Sequence, residues 1–278
     1  MGYVKRIAGI AAVAAVATAA PAQAGQVIVV DGNHAQRVQD PAVPTRAEAA
    51  LDMPAAAAGP SAARARASAR HGLAASRRGR SAVYAALRKE LRRKRIERAD
   101  YRRWRTTFVR SLRTLSRLSG ARATQLRYVL TSVESLALRR RLGASRMPAA
   151  FLQLERNRQY WPRLPYPAPG DQVSFRGSQI LFQYFAGEGL QLHPLSTFKK
   201  ANHLHGFCER RERTCDEQAL RSILDEMTAL AVKRGRNFIA WEYLFYFGGG
   251  TPPWMSGMAQ ATGIQALGRA ATLLNEPK

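Results

Sequence analysis

The chain has 278 residues, enough for one or two domains, and 46 % of them are hydrophobic, so a core can form although much of that material is alanine. Its 44 Lys and Arg against 19 Asp and Glu leave a formal charge of +25, with 29 basic and 8 acidic residues in the first 150 and 15 and 11 in the rest. An acidic solvating protein is excluded, and so is a multi-span membrane protein, whereas nucleic acid, an anionic glycan and a merely solvated surface all remain open.

Lys5 and Arg6 precede an apolar run from Ile7 to Ala20, which ends at Pro21 and the small-x-small string Ala22-Gln23-Ala24. This is the pattern of a secretory signal, and the run falls short of the ~18–20 residues that span a bilayer. Residues 1–24 therefore read as a signal peptide cleaved after Ala24, which implies an extracytoplasmic or secreted protein with no stable membrane span after cleavage. Residues 25–80 are rich in Ala, Pro, Gly, Ser and Arg and read as a disordered linker. Its basic cluster at 64–80 is either a solvated tail or a hold on an anionic polymer.

Helical periodicity begins at Ser81. Val83, Leu87 and Leu91 recur on one face. Asp100 stands as an N-cap before Tyr101, Trp104, Phe108, Leu112 and Leu115, and Leu126, Leu130, Val133 and Ala137 repeat in a third helix. The basic segment 81–147 thus reads as a small bundle without a DNA-binding signature. Ser145 and Pro148 open a helix reaching Tyr160, followed by the Pro-rich connector 161–171. Val173 and Phe175, then Ile180, Phe182 and Tyr184, alternate as a short β-hairpin. Helices are expected at 194–207, 216–234 and 256–274. Cys208 and Cys215 are an even pair in an oxidising compartment, which favours a disulfide. The alternative joins them to His203 and His205 as a zinc site, although HLHGFCERRERTC lacks the usual zinc spacings.

Several chemistries have no motif here: GxSxG, HExxH, GxxxxGK[ST] and GxGxxG after a strand are all missing. Three strings remain, FQYFAGEGLQLHPLSTFKKAN (182–202), AWEYLFYFGGGTPPW (240–254) and PWMSGMAQATGIQALGRA (253–270). On these strings the chain resembles the C-terminal domain of the D-glucuronyl C5-epimerase family, as found in exported bacterial relatives, over about residues 150–278. SGMAQ followed by an Ala/Leu helix is its most specific element. Two departures are Ala261, where the family pattern has Gly, and Lys199, where relatives tend to have Gly.

The resemblance implies a mainly α fold: an incomplete (α/α) toroid-like helical domain at 148–278 with a short β-hairpin, preceded by the basic helical segment. It also implies an anionic polysaccharide as partner, no cofactor and no metal. The implied reaction removes the C5 proton of a uronate and returns one to the opposite face, which needs two acid/base groups and donors for the dianion that develops. The family is understood to use tyrosines, whose pKa of about 10 must be lowered by nearby cations for a base role.

Tyr184, His193 and Tyr243 are the candidate catalytic residues, and each is equally readable as core or as a hydrogen-bonded structural group. Gln183, Asn202, Glu242, Trp254, Ser256 and Gln260 are the candidate substrate-binding residues. Among these, Trp254 suits stacking on a sugar face, Ser256 a helix cap, and Asn202 and Gln260 either sugar hydroxyls or loop ties. The chain stops soon after the SGMAQ helix. On the resemblance, that implies a truncated toroid with little or no epimerase activity, apolar faces such as Leu267 and Leu274 exposed, and self-association. The alternative function is a non-catalytic exported protein that binds an anionic glycan or cell-wall polymer; nucleic acid is disfavoured by the export signal.

Overall fold

The computed structural model describes residues 24–51, 77–247 and 251–275, so residues 1–23 of the expected signal peptide and residues 52–76 of the expected linker, with the 64–76 part of its basic cluster, lie outside the described residues. Two strands, β1 (Gly25–Asp31) and β2 (His34–Asp40), precede helix α1 (Arg46–Leu51); α2 (Arg77–Arg92), α3 (Arg98–Leu115) and α4 (Gly120–Leu138) follow. A 3-10 turn at Ala144–Arg146 leads into α5 (Met147–Tyr160), then β3 (Gln172–Phe175), β4 (Phe182–Phe185) and β5 (Gly189–Leu192). The rest comprises α6 (Pro194–Glu209), α7 (Glu217–Ala229), the hairpin β6 (Val232–Arg234) and β7 (Phe238–Ala240), and α8 (Gly257–Leu273).

The expected mainly α, toroid-like architecture is corrected by the sheet. Five strands form one mixed sheet in the order β2-β1-β3-β4-β5, and β6-β7 form a second. This is a mixture of helix and sheet, not a ring of helical hairpins with one hairpin added. The linker reading of residues 25–51 fails with it. Val27, Ile28, Val29 and Val30 form a β-branched run, and Gly32, at φ +58°, opens a two-residue turn to His34. β1 then runs parallel to β3, with Val27–Val30 opposite Gln172–Phe175. A segment that composition reads as solvated therefore supplies two strands of the central sheet.

Alternation decides what each face of the sheet touches. Ile28, Val30, Val173, Phe175, Phe182, Tyr184, Leu190 and Leu192 join the main core with Phe108, Leu126, Leu130, Phe151, Leu154 and Trp161. The opposite face carries a smaller cluster of Val27, Val43 and Leu181. Beside it, Gln172, Gln183 and Gln191 stand in register across three strands, all buried. The three basic helices do bundle as their periodicity predicts: Val83, Leu87, Trp104, Phe108, Leu126 and Val133 are all core.

β5 is an edge strand, whose outward amides need partners. Helical side chains supply them. Asn157 Oδ1 accepts from the Leu190 amide at 2.9 Å and Nδ2 donates to the Leu190 carbonyl at 2.7 Å, so one side chain occupies the place of a sixth strand. One turn earlier on α5, Gln153 Oε1 accepts from the Leu192 amide at 3.0 Å, and Gln125 on α4 accepts from Gly189 at 2.8 Å. Gly189 must be glycine: its φ is +84°, and a Cβ there would lie 2.6 Å from Asn157 Oδ1.

α6 and α8 pack closely because Gly263 has no side chain; a Cβ at that position would fall 2.8 Å from Phe198 and 3.0 Å from Trp241. This packing covers the face expected to be exposed. Leu274 is buried and Leu267 rests against the core, whereas Met255, Met258 and Ile264 are the exposed apolar residues here. Cys208 and Cys215 are bonded to each other, which satisfies both sulfurs without zinc, and His203 instead contacts the Ala42 carbonyl through Nδ1 at 3.0 Å. No helix among the described residues is long and apolar enough to cross a membrane.

Candidate functional site

The SGMAQ helix, the described residues of the 240–254 string and the start of α6 do meet, through Trp241–Gln260, Leu195–Tyr243 and Tyr243–Trp254 contacts, as a common site would require. Their polar residues, however, are largely used to hold the chain together. Ser256 caps α8, its Oγ accepting from the Ala259 amide at 3.3 Å. Gln260 pairs with both backbone groups of Trp241, accepting at 3.1 Å and donating at 2.9 Å. Asn202 donates to the carbonyls of Phe198 and Thr262 and accepts from Arg269, tying α6 to α8. Gln183 is buried within the sheet with its Oε1 unpartnered. Lys199 reaches the Glu48 carbonyl of α1 at 3.4 Å, while Ala261 lies exposed on α8.

Glu242 is 4 % exposed and is held between two guanidinium groups. Arg146 binds both of its carboxylate oxygens, and Arg234 donates from Nε at 2.7 Å. A carboxylate paired in this way closes the β6-β7 hairpin against the 3-10 turn, and both of its oxygens are occupied by the two arginines.

The three catalytic candidates are also enclosed. Tyr184 is 3 % exposed, His193 0 % and Tyr243 1 %. Tyr184 lies against Trp161 and Tyr166. Burial and then the Tyr166 phenol raise its pKa, the opposite of what a phenolate base requires. His193 N-caps α6, with Nδ1 accepting from the Ser196 amide at 3.2 Å; that leaves the ring proton on Nε2, which is buried and unpartnered. Burial, helped by the Lys199 charge, pushes His193 down to about 3.

His193 therefore enters the fold neutral, whereas in the unfolded chain it titrates near pH 6.5. Its folded pKa is depressed, so stability is complete above pH ~6.5 and is lost as pH falls toward 3, because the unfolded state then binds the extra proton. The expected loss is about 2–3 kcal/mol between pH 6.5 and 4.5. Urea titrations across that range should show a steeper acid loss for the native chain than for His193→Asn, which keeps a capping side chain but cannot titrate. Equal slopes would show that His193 is accessible to protons in the folded state.

What the fold leaves near the surface is an aromatic platform around Phe247 and Trp254. Tyr243 and Trp254 exchange backbone hydrogen bonds at 2.8 and 3.1 Å, which stacks the two rings at 4.4 Å and 14°. Trp254 Nε1 donates to the Phe245 carbonyl at 2.7 Å, which fixes the indole. Phe247 lies 6.4 Å from Trp254 and within 20° of parallel, and Phe185 closes the group 5.8 Å from Phe247. Phe185, Phe247 and Trp254 are half-buried over the enclosed Tyr243 and Phe245.

Polar groups border the rings. Arg139 begins an exposed run of three arginines at the end of α4, and its Nη2 donates to the Tyr246 hydroxyl at 3.3 Å. Tyr246 donates its amide to the Tyr128 hydroxyl at 3.0 Å, and burial, then the charge of nearby Glu188, raises the Tyr128 pKa. Of this group, sequence analysis found Trp254 and the enclosed Tyr243 behind it. Phe185 and Phe247 stand in strings already singled out, but nothing linear places Arg139, Tyr128 or Glu188 beside them.

Comparison with known protein families, with characterised proteins and with solved structures finds no match to this chain.

Proposed function

We propose that this is an exported, non-catalytic binding protein for an acidic polysaccharide, which it takes at the Trp254–Phe247 platform with Arg139 at the rim. One observation supports the reading above the others: two nearly parallel half-buried rings, held from behind by Tyr243, stand beside an exposed arginine run. Flat aromatic faces bury the C–H face of a pyranose while leaving its hydroxyls in water. A guanidinium at the rim offers paired donors to a ring carboxylate. The overall charge of +25 favours an anionic partner in the encounter. The epimerase reading receives less support, because its catalytic candidate Tyr184 has a raised pKa and its substrate-binding candidate Glu242 is committed to two arginines.

Calorimetric titration with a glucuronate hexasaccharide and with a neutral glucan of equal length tests this. Tight binding of the first alone is expected, weakened about tenfold by Trp254→Ala and by Arg139→Ala. Circular dichroism of both variants keeps loss of fold separate from loss of contact, and Arg139 is exposed enough to replace safely. Equal affinity for the neutral glycan, or tighter binding of DNA across a salt series, would overturn the acidic-glycan reading. Incubation of the hexasaccharide with the protein in deuterated water, followed by NMR, should show no deuterium at C5. Deuterium there, or iduronate, would overturn the non-catalytic part.

A further inference from the structure

A second charged feature shares no lining residue with the platform. A cleft of about 670 Å³ opens between the β1–β2 turn, the C-terminal end of α3, the last turns of α5 and the end of β3, and five arginines line it: Arg117, Arg156, Arg158, Arg163 and Arg176. Asp31 is the single acidic residue of the lining. It is already paired with Arg176, as Glu155 is with Arg158. Among the described residues, Arg117, Arg156 and Arg163 form no ion pair; Glu155 and Glu226 act on Arg156 only from beyond contact distance, and each of them is bonded elsewhere, to Arg158 and to Ser178.

Arg156 sits deepest. Its guanidinium lies 4.6 Å from the centre of the Phe175 ring and donates to Gln159 Oε1 at 3.0 Å, yet its Nε is shielded from solvent and has no partner. A guanidinium cannot shed its proton to escape burial, so a shielded, unanswered donor costs folding energy unless an acceptor arrives. Phe175 holds the flat group in one orientation, leaving less entropy to lose when an anion binds. Arg117 and Arg163 are exposed on either side, where they can close on the same ligand.

We infer that this cleft is a binding site for a small molecule carrying two or more tetrahedral oxyanion groups, a phosphate or sulfate ester, held by Arg117, Arg156 and Arg163. One carboxylate carries a single charge and leaves two of the three guanidinium groups unanswered. A phosphoryl or sulfuryl pair brings enough charge, with oxygens spaced for the planar donor forks. The volume is within the range of small-molecule sites. This site is independent of the acidic-glycan reading and stands if that one fails.

The test is calorimetry on the full chain at constant ionic strength, with pyrophosphate in one arm and a disulfated disaccharide in the other. Binding to one site per chain in either arm is expected, and the tighter arm identifies the ester. Arg117→Ala combined with Arg163→Ala should weaken it at least tenfold, as should Arg156→Gln alone, while Trp254→Ala leaves it unchanged. The paired variant removes only exposed side chains, so its folding is secure even if Arg156→Gln disturbs Phe175. Failure of both ligands to bind, an unchanged affinity in the paired variant, or displacement by a glucuronate hexasaccharide in preference to either ester would each overturn the proposal.

Discussion

Replacing Asn157 by leucine should destabilise the protein by about 4–6 kcal/mol and leave it largely unfolded at 37 °C. The size follows from what one buried amide satisfies. Asn157 is fully buried. It bonds the Leu190 amide and carbonyl at 2.9 and 2.7 Å, accepts from the Trp161 indole at 2.7 Å and donates to the Gln153 carbonyl at 2.8 Å. Leucine has similar volume but none of these groups. The Leu190 amide, the Leu190 carbonyl and the indole N–H would then be buried without partners, at ~1–3 kcal/mol each, against a total stability of ~5–15 kcal/mol for a domain. Water cannot replace the side chain, because Leu190 and Trp161 are themselves fully enclosed. Chemical denaturation with circular dichroism measures the effect. A loss below about 2 kcal/mol would mean that β5 finds another partner for its outward edge.

Replacing Glu242 by glutamine should cost about 3–5 kcal/mol, and it separates a structural acid from a catalytic one. The substitution keeps size and shape while removing the charge that Arg146 and Arg234 share. Arg146 has a side chain only 13 % exposed and would be left as a buried, uncompensated cation. Arg234, at 34 %, can turn toward solvent, which places the expected value near the lower end of the range. A matched double variant, Glu242→Gln with Arg146→Met, should recover part of the loss, since removing both partners is milder than orphaning one. Full stability in Glu242→Gln would instead point to a carboxylate poised for chemistry, and the binding reading would have to give way.

Local signals in the chain were sufficient where one segment's own pattern decides its structure. The 3.6-residue recurrence of Val83, Leu87, Trp104, Phe108, Leu126 and Val133 marks the helical faces that are buried. Ser256 before GMAQ marks a capped helix, and the Cys208–Cys215 spacing marks a disulfide that forms. Even β1 and β2 were legible in principle. The VIVV run before Asp31-Gly32 is a hairpin signal, obscured by the Ala- and Pro-rich chain on either side.

The remaining features depend on contacts between residues far apart, and no local pattern carries them. The parallel pairing of β1 with β3 joins residues about 145 positions apart. It makes a mixed sheet where the family resemblance implied a toroid. Tyr184, His193, Tyr243 and Glu242 look like chemistry in a linear string because polar and aromatic side chains are versatile. Only the packed structure decides which are enclosed, and it encloses all four. Conversely, Arg117, Arg156 and Arg163 are ordinary members of an arginine-rich chain until α3, α5 and the connector after it bring them around one cleft. The sequence thus determines most of the helices, the Ser256 cap and the excess of positive charge, each a property of neighbours along the chain. The expected Asp100 cap instead lies inside α3, and the helix expected over 216–234 ends at Ala229 ahead of β6. Which charges stay unneutralised, and which rings remain at the surface, is decided by burial and by partners that only the tertiary fold brings within reach.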